Sequence, residues 1–110
     1  MSTRLEQLIV FLSESPEDPF LHYAIAQEYH KYGDAQLAVE KYQYLISEHP
    51  QYVATYYHYG ALLSQLKQKE NALEILSKGI LIAKGLGDSH SLSELQSAKL
   101  NLEIADDDDD

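Results

Sequence analysis

A 34-residue interval runs through this chain and restricts its fold more than any other feature. Ala38 and Ala72, Glu40 and Glu74, Tyr29 and Leu63, and Tyr42 and Leu76 all stand that far apart. The same step taken backwards carries Ile46-Ser47-Glu48-His49-Pro50 onto Leu12-Ser13-Glu14-Ser15-Pro16, keeping Ser, Glu and Pro. A segment of this length holds one supersecondary unit and cannot bury its apolar face alone. Successive copies must therefore stack to make a continuous core.

Each copy is built from helices. No segment alternates at period two and no Asn-Gly pair offers a hairpin, so strands are not expected. Thr3-Arg4-Leu5-Glu6 has the spacing of a capping box, and Leu5, Leu8, Ile9 and Leu12 then recur on one face until Pro16 restricts Ser15. Asp18 is a good N-cap for a second helix, Pro19 suits its first position, and Gly33 stands where a left-handed residue would end it. Asp34 can cap a third helix over 35–48, closed by His49-Pro50. A central helix over 52–66 places Val53, Tyr56, Gly60 and Leu63 on one face and Tyr57, Ala61, Ser64 and Gln65 on another. A fifth runs over 69–84 before Gly85 and Gly87 break it, and a sixth runs from Asp88 or Ser89 to about Ile104, with a second box in Ser91-Leu92-Ser93-Glu94. Connections this short make consecutive helices antiparallel neighbours.

Composition narrows the function. The 110 residues suit one ordinary domain, and with no cysteine there are no disulfides, thiolate nucleophiles or cysteine-held metals. The apolar run Leu8–Leu12 is too short for a signal-peptide core, and no stretch reaches membrane-spanning length, so the expectation is a cytoplasmic protein with no membrane partner. Net charge is −10, of which five charges are the terminal run Asp106–Asp110. Without that run the chain still has 13 acidic against 8 basic residues, a surface that repels a polyanion, so nucleic acid is not an expected partner. The aspartate run itself repels its own charges and is expected to be a disordered, solubilising acidic tail over 106–110. Lys67, Lys69, Lys78 and Lys84 make the local cationic excess it could seek.

With the interval, these residues resemble the tetratricopeptide repeats, whose signature is an ordered series of aromatic, large apolar and small residues closed by proline. The first unit matches as His22, Ile25-Ala26, Tyr29, Ala38, Tyr42 and Pro50. The second matches as Tyr56, Tyr59-Gly60, Leu63, Ala72 and Leu76, with Lys84 in place of the proline. The resemblance implies an all-α, right-handed superhelical solenoid of antiparallel helix hairpins. It parses as a half-repeat helix over 2–15, repeats over 19–52 and 53–86, and a capping helix over 88–105, all in one domain over 1–105. Gly60 and Ala72 would let helix backbones approach closely. Lys67 takes the turn slot that Gly33 holds in the first repeat, at a cost of about 1 kcal/mol if left-handed.

The resemblance also implies a concave groove lined by the first helix of each repeat. By register it presents Phe20, Tyr23, Gln27, His30 and Lys31, then Tyr57, Ala61, Ser64 and Gln65. These aromatic and mostly uncharged groups suit recognition of a protein or peptide segment. The structural alternative is a homodimer through an exposed end of the stack, where Leu5, Ile9 and Leu12 would lie. One well-known member type grips a chaperone's terminal carboxylate with Lys, Asn and Arg. This chain has Tyr23, Gln27 and His58 in the corresponding inner positions and Asp88 and Leu92 near the last two, so such a ligand is not expected. His90 with Glu94, and Glu28 with His30, fall short of the three or four converging ligands of a zinc site, so no metal is expected. No nucleophile motif or phosphate-cradling glycine loop is present, so neither catalysis nor a cofactor is expected.

Overall fold

The repeat is written most directly in the chain's turns. The computed structural model describes residues 3–105, and its helices are α1 (Thr3–Glu14), α2 (Pro19–Lys31), α3 (Ala35–Glu48), α4 (Ala54–Gln65), α5 (Lys69–Leu86) and α6 (Ser89–Ile104). No strand occurs among the described residues. After α2, the Asp34 N–H donates to the Tyr29 carbonyl at 2.8 Å and the Gly33 N–H to that of His30 at 3.2 Å. After α4, Gln68 donates to Leu63 at 2.9 Å and Lys67 to Ser64 at 3.0 Å, the same bonds 34 residues on. After α5, Asp88 donates to Ala83 and Gly87 to Lys84. All three helix ends satisfy their last carbonyls through one residue at positive φ: Gly33 at 86°, Lys67 at 66° and Gly87 at 70°. The expected left-handed lysine is present.

The helix boundaries differ from expectation in four places. Thr3 is itself helical, so it does not stand outside the helix as the capping residue of a box with Glu6. Asp34 precedes α3 but its side chain makes no capping bond, and its backbone carbonyl accepts from Ala38 instead. Gly85 does not break α5, because with nothing crowding it the helix runs on and stops at the left-handed Gly87. Ser91 does not cap α6. Asp88 does, accepting from the Ser91 N–H at 3.1 Å and its hydroxyl at 2.7 Å, and these bonds hold the Asp88 carboxyl below the usual carboxylate range. Asp18 caps α2 as expected, accepting from the Phe20 N–H at 3.0 Å with Pro19 at the first position.

The chain divides after Thr55 into two compact units. In the first, α1 and α3 both pack on α2. Leu5 and Leu8 of α1 are buried with Leu21, Ala24 and Ile25 of α2, and Leu12 and Tyr29 lie against them. Beyond these, Ile9 at the edge of the packed face and Val10 and Phe11 away from it are exposed. Arg4 Nε meets the buried Glu28 carboxylate at 3.4 Å, so a carboxylate that would be costly inside is paired.

His22 is the buried polar group between the α1–α2 connector and α3. Its Nε2–H donates to the Pro16 carbonyl at 2.7 Å, and Lys41 Nζ donates to its Nδ1 at 3.2 Å. Its ring lies 4.4 Å from that of Tyr44, whose other neighbour is the His49 ring at 6.1 Å.

In the second unit, two glycines let α4 and α6 close onto α5. A Cβ on Gly60 would come within 2.7 Å of Leu76 Cδ2. One on Gly79 would lie 2.5 Å from Tyr56 Cβ and 3.2 Å from Leu95 Cδ1. Gly79 is therefore where three helices meet. Leu95 is the buried residue of α6, while Leu92 and Leu102 are half-buried.

Candidate functional site

The face of α2 singled out by sequence is held by aromatic packing within the first unit. Phe20, Tyr23, Gln27, His30 and Lys31 recur at steps of three, four, three and one, so they share one side of the helix. Phe20 is half exposed and Tyr23, Gln27 and His30 are half-buried. The Tyr23 ring lies 5.6 Å from that of Tyr52 in the α3–α4 connector. Burial, and then each ring's neighbour, raises both phenols above their usual range: Tyr52 beside Tyr23, and Asp18 beside Tyr52. Both hydroxyls stay neutral donors at physiological pH.

In the second unit the chosen α4 residues open onto a cleft. Tyr57, Ala61 and Ser64 line one wall, Gly60 and Leu76 lie between, and Ala98, Asn101, Leu102 and Ala105 form the far wall. The space is about 300 Å³, enough for one or two side chains of a ligand. No lining residue is charged. Apolar surface predominates, and the Tyr57 hydroxyl, the Ser64 hydroxyl and the Asn101 amide supply neutral donors and acceptors. Such a lining can shelter an apolar side chain and hydrogen-bond the peptide beside it, but it has no cation for a carboxylate and no nucleophile–base pair.

Gln65 does not line this cleft. Sequence reasoning missed the α6 wall altogether, because α6 was expected only to close the end of the core. Ala98, Leu102 and Ala105 at four- and three-residue spacing carried the available signal, a small-and-apolar stripe that continues the face through Leu95. The repeat residues chosen for packing are buried at His22, Ile25, Ala26, Ala38 and Tyr42, and at Tyr56, Tyr59, Gly60, Leu63, Ala72 and Leu76. Tyr29 is half-buried and Pro50 exposed.

Among the described residues no group of three or more potential ligands gathers as a metal site would require. His90 Nε2 and Glu94 Oε2 meet at 3.2 Å one helical turn apart in solvent, while Glu28 is taken by Arg4. No described helix is long and apolar enough to cross a membrane. The run Asp106–Asp110 lies outside the described residues.

A tetratricopeptide repeat domain protein from Salinibacter ruber, solved in solution, is 41% identical to this chain. The match covers 84% of this chain and 93% of that one, with a TM-score of 0.80. The chain belongs to the tetratricopeptide repeat family. A crystal structure of a Salinibacter ruber tetratricopeptide repeat domain protein agrees, at 41% identity over 79% of this chain and 98% of that one, with a TM-score of 0.75. The same fold is seen in the TPR2B domain of yeast Sti1, solved in complex with pHsp70. It is 17% identical over 90% of this chain and 79% of that one, with a TM-score of 0.82. No protein-family model and no curated protein sequence matches the chain. The all-α tetratricopeptide solenoid fold is thus the fold of this protein, and its three left-handed helix ends are the local form the repeat takes here.

Proposed function

We propose that this tetratricopeptide repeat protein is a non-enzymatic interaction module. It takes a peptide or an extended protein segment on the exposed faces of α2 and α4. The observation that carries this reading is the uncharged cleft between Tyr57, Ala61 and Ser64 of α4 and Ala98, Asn101 and Leu102 of α6. Its chemistry calls for a neutral, apolar anchor residue with peptide groups on either side. Phe20, Tyr23, Gln27, His30 and Lys31 offer a separate recognition face on α2, in the first unit. The Sti1 domain, alike in fold, was solved with a bound partner, which supports the binding role. A ligand held by its terminal carboxylate does not fit this chain, because Tyr23, Gln27 and His58 offer no cationic grip for one.

Peptides selected from a random display library on the immobilised protein test this reading. The expected consensus has one large apolar residue and no dependence on a free C-terminal carboxylate. Ala61→Glu, at an exposed position, should weaken selected peptides at least tenfold, about 1.4 kcal/mol, without lowering the melting temperature. No enrichment, or unchanged affinity in Ala61→Glu, overturns the reading.

A second reading is favoured by a separate observation. Ile9, Val10 and Phe11 are 41%, 56% and 53% exposed side by side on α1. Exposed apolar side chains on successive positions of one helix suit pairing with a second copy of the chain.

A further inference from the structure

His22 holds the α2–α3 hairpin in a way that only one protonation state permits. A carbonyl oxygen can only accept, so the 2.7 Å contact to Pro16 requires the proton on Nε2. An ammonium can only donate, so the 3.2 Å contact from Lys41 Nζ requires a bare lone pair on Nδ1. The amine is the far stronger base of the two, so the proton stays on Lys41. We propose that His22, as the neutral Nε2–H imidazole, is an acid-sensitive staple. Protonation of its Nδ1 expels Lys41 and loosens the grip of α3 on the α1–α2 connector.

The surroundings sharpen the response. From α3 and its end, His22 faces Lys41, Tyr44 and His49, and Glu48 stands near the Tyr44 hydroxyl. From the connector it faces the Pro16 carbonyl and Glu17. From α1, the ion pair of Arg4 meets α2 at Glu28, six residues further along the helix. Three groups able to carry positive charge thus gather about the Tyr44 ring: His22 at 4.4 Å, Lys41 Nζ at 6.0 Å and His49 at 6.1 Å. His49 Nε2 is buried and has no hydrogen-bond partner among the described residues. Glu17 is the carboxylate that favours charging His22, and it is solvent-exposed.

Burial chiefly lowers the pKa of His22, Lys41 and His49 adding to the effect and the Pro16 bond and Glu17 opposing it. A histidine held low in the fold takes its proton later than the same residue in the unfolded chain. Its stabilising contribution is therefore complete above about pH 6.5, the unfolded value, and drains as pH falls towards the folded value. His49 belongs to the connector that follows α3 and also carries Tyr52, whose ring stands beside Tyr23.

Long-range nitrogen–proton NMR on the histidine rings, followed from about pH 8 to about pH 4.5, tests the staple directly. The expected spectrum shows His22 as the Nε2–H tautomer, titrating below the ordinary histidine value of about 6.5. Lys41→Met should raise the His22 midpoint, because the opposing ammonium is gone. It should also flatten the fall in melting temperature on acidification. Lys41→Arg, which keeps the charge, should leave both near the parent. An Nδ1–H tautomer, a His22 midpoint at or above about 6.5, or a midpoint unmoved by Lys41→Met overturns the proposal. None of these readings depends on a His22 variant that folds.

Discussion

Lys67 carries the clearest local cost in the molecule. At φ 66° its Cβ crowds the following carbonyl, a penalty of about 1–2 kcal/mol that glycine avoids. The surrounding bonds, Lys67 to Ser64 and Gln68 to Leu63, hold it there regardless. Lys67→Gly should stabilise the protein by about 1 kcal/mol, which for a domain this size raises the melting temperature by roughly 4–8 °C. An unchanged melt would show that the turn bears no strain. This residue was legible from sequence because the 34-residue step carries Gly33 onto it. The failed cap at Asp34 was not legible. A side-chain cap depends on the rotamer and backbone angle that the finished turn leaves, and Asp34 sits at ψ 63°, unlike the extended ψ 111° of Asp18.

At the scale of the element, glycine has three different meanings within α4 and α5. Gly85 has open space about it, Gly60 faces the branched end of the buried Leu76 side chain, and Gly79 faces the Cβ of Tyr56, which cannot move without its backbone. Alanine should accordingly stabilise by up to about 1 kcal/mol at position 85, through helix propensity. It should destabilise by roughly 1–3 kcal/mol at position 79, through overpacking, and fall between the two at position 60. Urea unfolding of the three single variants checks the order, and Gly79→Ala at parental stability would contradict the packing argument. The close approach at Gly60 was legible from its place in the repeat. An isolated glycine amid Leu76, Ile80 and Leu81 was the available sign of the tighter junction at Gly79, since such a residue costs helix stability unless packing needs it.

For the molecule as a whole, charge and apolar exposure pull in opposite directions. A net charge of −10 opposes self-association at low ionic strength, while the Ile9, Val10 and Phe11 patch of α1 favours it. If that patch pairs two copies, sedimentation over a concentration series should show a dimer that tightens with salt and is abolished by Ile9→Glu. A monomer at every concentration and salt level would remove the second reading and leave the α4–α6 cleft as the interaction surface. The sequence by itself determined the helices, their order and the 34-residue beat. Those depend on caps, left-handed residues and hydrophobic spacing that act over a turn or two of chain. Tertiary structure alone decided that Gly79 is the meeting point of three helices, that Ala61 faces Leu102 across a cleft, and that His22 lies between a carbonyl and an ammonium. Each of these joins residues with no local pattern in common. It exists only once burial has chosen which face of each helix meets the next.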